Sequence, residues 1–384
     1  MNKKLKVLPI LAMGLMLVAC NGGTSSSAKP TSKNDDVNFT LKVGSYVAMA
    51  GEDNPNTIEV STAAVILNGE NKIVSSYFDV LQAPFTITPE TNTETKKVTY
   101  TLALDQTKNS TKDAGDKVIE TKQELKDRYG MSAIGKTEWN KQANAFSGYI
   151  NGKTIEEAAS ANYKNTHNNS GTVVIEGCTM SQTNFTTALK VITDTKTFKA
   201  PANTVSAGLG YKVSALSADN VLTVTLAGSA TDKDGKIYET SINAYQIPVT
   251  VDGTKVTEPK IAIDTTKTQT KAENFKGHTV ESETNKYYTS VLSKRELKEL
   301  YGMYNKDKPG TEGKPATAGE WFTQADNFAK YAKGKVASEI AGKSYKSEHN
   351  DKGTVEVPGC TITMEDFATA ISKSATNKSG LKAK

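Results

Sequence analysis

Gly-Cys-Thr occurs twice in the chain, at 177–179 and at 359–361, each time between a β-branched run (TVVIE, TVEV) and a helix-capping pattern. Ser181 or Thr363 stands at the expected N-cap, Asn184 or Asp366 follows three residues on, and Phe185 or Phe367 opens an apolar helix face. Thr179 and Thr361 therefore precede a helix N-terminus, where unpaired N–H groups and the positive end of the dipole favour a phosphate. Gly177 and Gly359 permit a tight turn and the close approach of a bulky group. The same spacing serves equally as plain punctuation between a strand and a helix. Cys178 and Cys360 read as small buried hydrophobes. His167 and His349 recur in polar loops (NTHNNSG, SEHNDKG) and read as solvated.

These matches belong to a longer internal repeat. TKQELKDRYGM (121–131) returns as SKRELKELYGM (293–303), and EWNKQANAF (138–146) as EWFTQADNF (320–328). A Gly/Pro/Lys-rich insertion separates Met303 from Trp321 in the second copy. Upstream, Tyr46 matches Tyr211, and NKIVSSYFDVLQAPFTI matches GKIYETSINAYQIPVTV. Each copy opens with alternating, β-branched segments that predict strands, with hairpin turns at Asn68-Gly69 and Asp234-Gly235. Each closes in helices. Thr121 with Glu124 and Ser293 with Glu296 form capping boxes, and Gly130 and Gly302 stand where a helix stops. Trp139, Ala143, Phe146 and Ile150, or Trp321, Ala325 and Phe328, follow at helical spacing. The fold class is α+β: two tandem homologous domains, each a strand-rich half followed by a helical half. Repeat 1 covers 37–195 and repeat 2 covers 206–375, with a join near 196–205 and a polar tail at 376–384. Cys178 and Cys360 hold one position in two copies, which argues against a disulfide between them.

The first residues, MNKKLKVLPILAMGLMLVAC, are a basic stretch and an apolar run too short to span a bilayer as a mature helix. Leu17-Val18-Ala19-Cys20 looks like a bacterial lipobox. That resemblance implies a lipoprotein signal peptide at 1–19, cleaved before Cys20, and a lipidated Cys20. Residues 20–36 carry almost nothing apolar and read as a flexible linker. Diacylglycerol attached at Cys20 would hold the mature chain on the outer face of the cell membrane.

ELKxxYGM, EWxxQAxxF and a Gly-x-Thr ahead of the last helix together resemble the PplA-type flavinylated lipoproteins of Gram-positive extracellular electron transfer. In that family a membrane-side flavin transferase attaches FMN through a phosphodiester to a threonine in a pattern like Asp-x-x-Ser-Gly-Ala-Thr. VVIEGCT and VEVPGCT keep the Gly and Thr, with Val173 or Val355 for Asp, Glu176 or Pro358 for Ser, and Cys178 or Cys360 for Ala. The resemblance implies up to two covalent FMN groups, on Thr179 and Thr361, and an electron carrier rather than a substrate-specific enzyme. It also implies a quinone-linked donor in the membrane and external acceptors such as ferric iron. A flavin ring needs an apolar or aromatic wall, which Trp139 with Trp321, or Tyr129 with Tyr301, could supply; core packing is the other reading of the Trp pair, and close contact with the ring is the other reading of Cys178 and Cys360.

Composition removes several other classes. Three of the five net positive charges are Lys3, Lys4 and Lys6 of the leader, so the remainder gives no electrostatic case for nucleic acid. Three His and three Cys, scattered, do not make a zinc ribbon, a haem attachment or an iron–sulfur cluster. Neither Gly-x-Ser-x-Gly nor His-Glu-x-x-His occurs. The rival reading is a ligand-binding or adhesive surface lipoprotein without a cofactor.

Overall fold

Strand β2 (Thr57–Leu67) sends Ala63, Val65 and Leu67 to one core and Ala64 and Ile66 to another, and all five are buried. Side chains alternate faces along a strand, so a strand buried on both faces lies between two layers. In the computed structural model the described residues are 36–52, 54–105, 119–134, 136–252, 258–264, 291–303 and 319–379. The leader, Cys20, the linker before Asp36 and most of the insertion after Met303 lie outside them.

The fold is α+β. β1 (Asp36–Met49), β3 (Ile73–Thr91), β4 (Val98–Leu104) and β5 (Ile192–Pro201) join β2 in an antiparallel sheet of order β4-β3-β2-β1-β5. β6 (Ser206–Val213), β7 (Val221–Thr231), β8 (Ile237–Asp252) and β9 (Lys260–Ile263) form a second sheet in that order. The inner faces meet in one core, where Leu41, Val43 and Val60 share a cluster with Leu209, Tyr211 and Tyr245. The outer face of the first sheet packs with α1 (Lys122–Leu125), α2 (Trp139–Ile150), α3 (Ile155–Ser160) and α4 (Thr183–Lys190). That of the second packs with α5 (Lys294–Leu297), α6 (Trp321–Ala332) and α7 (Glu365–Thr376).

Several local signals stand as read. Both capping boxes form, at Thr121/Glu124 and Ser293/Glu296, and Gly130 and Gly302 hold left-handed backbone at φ +87° and +67°. Gly44 on β1 and Gly210 on β6 let the last helices approach: a Cβ there would collide with the carbonyl oxygen of Ala188 on α4 or of Ala370 on α7.

Other expectations change. Ser45, not Tyr46, is the counterpart of Tyr211, because Ser45 faces Thr62 across the ladder as Tyr211 faces Leu226. One residue of register reverses the face. Tyr46 accordingly reaches Asn184 on α4, while Tyr211 enters the core between the sheets. TVVIE and TVEV are not strands. Val173 and Val355 make single bridges to Tyr163 and Tyr345, because side-chain amides of Asn168 and Asn350 bond the backbone of these loops. Residues 196–205, read as the join, include half of β5, which pairs with β1. From the expected polar tail, Asn377 and Ser379 bond the backbone of β6.

Asp79 on β3 and Asn243 on β8 are matched positions doing one job. Asp79 Oδ1 accepts from the N–H groups of Val80 (2.8 Å) and Gln123 (3.1 Å), and Asn243 Oδ1 from those of Ala244 (2.8 Å) and Arg295 (3.3 Å). Each thereby pins a short helix to its sheet. The remaining atoms differ: Asn243 Nδ2 donates to Thr193, whereas Asp79 Oδ2 is buried without a hydrogen-bond partner. Burial, aided by the Glu124 charge, outweighs the backbone bonds and pushes the Asp79 carboxyl up to about 8. A raised carboxyl favours the folded state fully below its unfolded value, and the advantage is lost as pH climbs through the folded one. Asp79→Asn should therefore raise stability by about 1–3 kcal/mol at pH 9 and leave it nearly unchanged near pH 4, as urea midpoints at the two pH values will show.

Candidate functional site

The three repeated motifs meet through side chains of one helix. Glu138, at the N-cap of α2, accepts from the N–H groups of Ser132 (2.8 Å) and Met131 (3.2 Å), and the Ser132 hydroxyl, with these bonds, holds its carboxyl below the usual range. Glu320 repeats the contact on Met303 N–H at 3.1 Å. Trp139 and Trp321 follow, buried, edge-on to Phe185 and Phe367 at 5.5 Å and 5.4 Å. Their core packing is thus plain, and each also borders a lysine. Lys122 Nζ lies 5.2 Å from the Tyr129 ring centroid and 5.7 Å from that of Trp139. Lys294 Nζ lies 4.5 Å from Tyr301 and 5.4 Å from Trp321.

One turn on, a buried glutamine reaches the Gly-Cys-Thr loop. Gln142 Oε1 accepts from Thr179 N–H (2.8 Å), Met180 N–H (2.9 Å) and the Thr179 hydroxyl (3.3 Å). Gln324 Oε1 does the same for Thr361 N–H (2.8 Å), Ile362 N–H (3.2 Å) and the Thr361 hydroxyl (3.3 Å). Each amide is oriented by its own Nε2, which donates to Thr137 O (2.7 Å) or Gly319 O (2.9 Å). A further bond fixes each loop, from Thr166 N–H to Thr179 O and from Glu348 N–H to Thr361 O. Gly177 and Gly359 take the turn at φ +76° and +74°.

This geometry revises the expected phosphate cradle. α4 and α7 begin after Gln182 and Met364, so Ser181 and Thr363 are not N-caps. The Ser181 hydroxyl instead lies within hydrogen-bond distance of the Thr183 hydroxyl. The first backbone donors after each cysteine point at a glutamine and not at open space. As residues, Thr179 is exposed and Thr361 half-buried, and each hydroxyl donates to its glutamine. Beside Thr179 a depression of about 410 Å³ is lined by Lys122, Tyr129, Met131, Trp139 and Met180, with Ile134 standing 68% exposed at its edge. That volume and lining, an aromatic and thioether wall with one carboxylate-paired ammonium, suit a flat aromatic group. The ammonium is paired with Glu59 at 3.2 Å, which fixes its place.

The cysteines are free, buried and in separate cores, so they do not pair. Cys178 Sγ accepts from Gln182 Nε2, and Cys360 donates to the backbone oxygen of Gln324. Burial raises both thiols, Cys360 to about 12. His167 and His349 are solvated, as read. No group of three or more metal-ligating side chains occurs among the described residues, and none of their helices is long and apolar enough to cross a membrane. Sequence reading passed over Gln142, Gln324, Lys122 and Lys294, although their recurrence within the matched motifs was the available signal. At pH 8, Cys178 and Cys360 should alkylate with iodoacetamide at least about 100-fold more slowly in the folded chain than in guanidinium, measured by peptide mass mapping.

No family model, no curated protein and no solved structure matches this chain.

Proposed function

We propose that the chain is a lipid-anchored electron carrier on the outer face of a bacterial membrane, bearing covalent FMN on Thr179 and Thr361. The observation that carries this reading is the recurrence, in both halves, of a glutamine-held threonine hydroxyl with a lysine-flanked Tyr–Trp pair in the same repeat unit. In the first half Thr179 is an exposed residue, and Met180 and Ser181, which follow it, line the concavity that Tyr129 and Trp139 also border. Bound FMN would supply the redox chemistry. The chain's own residues supply position: Gln142 and Gln324 orient the hydroxyls, Tyr129 and Trp139 offer a face, and Lys122 places a positive charge beside it. Transfer of the FMN moiety from a flavin dinucleotide to Oγ1 forms the phosphodiester, breaks the donor's pyrophosphate bond and releases AMP together with the hydroxyl proton, which the neutral amide of Gln142 cannot take. The base must then come from the flavin transferase. Electrons would enter from a quinone-linked membrane donor and leave to external acceptors such as ferric iron.

The rival, a surface lipoprotein that binds a ligand without cofactor, is favoured by one observation: the backbone donors after each cysteine are already satisfied within the protein. Intact mass after co-expression with a cognate transferase separates the two. Two FMN additions that survive denaturation are expected, Thr179→Ala and Thr361→Ala each removing one; an unmodified chain would overturn the carrier reading. Gln142→Leu should slow modification at Thr179 by about 10–100-fold while Thr361 on the same chain proceeds at its normal rate, followed by time-resolved peptide mass analysis.

A further inference from the structure

A second concavity, of about 900 Å³, shares no residue with the Tyr129–Trp139 depression. One wall is a stripe of α2. Asn140, Asn144, Ser147 and Asn151 recur at helical spacing over about 16 Å, while Trp139, Ala143, Phe146 and Ile150 fill the core. Ser75, Ser76 and Tyr77 of β3 and Gln123 of α1 also line it, and Val37 and Val74, 40% and 39% exposed, give it an apolar lip.

The lining is rich in groups that both donate and accept, and its carboxylates are neutralised from within. Glu120 holds Arg128 in a two-pronged pair at 2.7 Å, and Glu124 pairs with Lys373 at 2.9 Å. Lys378 turns its ammonium onto the carbonyls of Asp232 and Lys233. Asn140 Oδ1 and Asn151 Oδ1, both on the stripe, are buried with no hydrogen-bond partner.

The second half shows that the fold does not require this lining. Where the first half has Gln123 bonded to Asn144, the second has Arg295 paired with Asp326 at 2.7 Å, joined by Lys196 of β5 at 2.8 Å. Asn140, Ser147 and Asn151 are matched there by Phe322, Ala329 and Lys333. The chain therefore places ion pairs and apolar groups at the matched positions in one copy and uncharged amide and hydroxyl side chains in the other.

We propose that this cleft binds a neutral oligosaccharide. A cationic ligand would find both lining carboxylates already paired, and an anionic one would find Lys378 turned onto carbonyls and only the exposed Lys126 to meet it, so charge returns little of the hydration lost. Sugar hydroxyls donate and accept as amides and serine hydroxyls do, and the C–H faces of a ring suit Val37 and Val74. The site is independent of Thr179 and Thr361.

The test is calorimetric titration of the full-length protein with maltotriose, cellotriose and triacetylchitotriose, and with trigalacturonate as the charged comparison. At least one neutral trisaccharide should saturate the protein below about 10 mM, and Thr179→Ala/Thr361→Ala should leave that binding unchanged. A Cβ at Gly148 meets nothing within 4 Å, so Gly148→Trp should enter the cleft without disturbing the helix and weaken binding at least about tenfold. The pair Gln123→Arg/Asn144→Asp, which imports the arrangement of the second half, should do likewise with an unchanged melting temperature. Absence of binding by all three neutral sugars, tighter binding of trigalacturonate, or binding indifferent to Gly148→Trp would overturn the proposal.

Discussion

The core between the two sheets is the constraint on which everything else rests. Each sheet gives its inner face to the other, so each can give only its outer face to helices, and the helices carry the site. The seam has polar fastenings as well as apolar ones. The Tyr245 hydroxyl, fully buried, donates to Ser45 O at 2.9 Å and lies 2.8 Å from Ser45 Oγ, while Ala207 N–H reaches across to Ser75 Oγ at 2.9 Å. A buried hydroxyl left without such partners would cost about 1–3 kcal/mol, so these contacts select one relative placement of the sheets over a slipped one. With the sheets set, Gly44 and Gly210 let α4 and α7 lie almost on the strand backbone. That close approach decides where the preceding Gly-Cys-Thr loops come to rest against α2 and α6.

The repeated motifs make sense as one hydrogen-bonded unit. Glu138 ties the Tyr-Gly-Met corner, Trp139 packs under it, Gln142 ties the Gly-Cys-Thr loop, and Phe146 locks the helix to the sheet. Each contact lies one helical turn or less from the next, which explains why these residue types recur together at fixed spacing. The glutamine is well suited to its place: it is uncharged, so its burial is cheap, yet its carbonyl takes three donors at once.

What was legible in the sequence follows from range. Capping boxes and left-handed glycines depend on neighbours within four residues, and Thr121/Glu124, Ser293/Glu296, Gly130 and Gly302 were readable for that reason. The repeat was readable because two copies test each other. Gln142 was hidden because a buried glutamine and a solvated one look alike until the loop 37 residues away is placed against it. The β-branched TVVIE misled because its backbone bonds run to a few loop residues, Asn162 and Lys164, with the Tyr163 carbonyl taken by the Asn168 amide, and not to another strand. Tyr46 and Tyr211 matched by type but not by face, a difference that only ladder register reveals.

Divergence between the copies is where the molecule becomes more than a duplication. The second half has closed its matched polar positions with Arg295, Asp326 and Lys196, and it has Asn243 where the first keeps a buried carboxyl with an idle oxygen. The first half holds the exposed threonine, the open aromatic depression and the amide-lined cleft. Closing polar positions with ion pairs rigidifies, whereas an open concavity forgoes that packing. The two copies therefore differ in emphasis: the second closes its matched positions with ion pairs, and the first leaves them open as the surface on which the proposed chemistry and recognition would act.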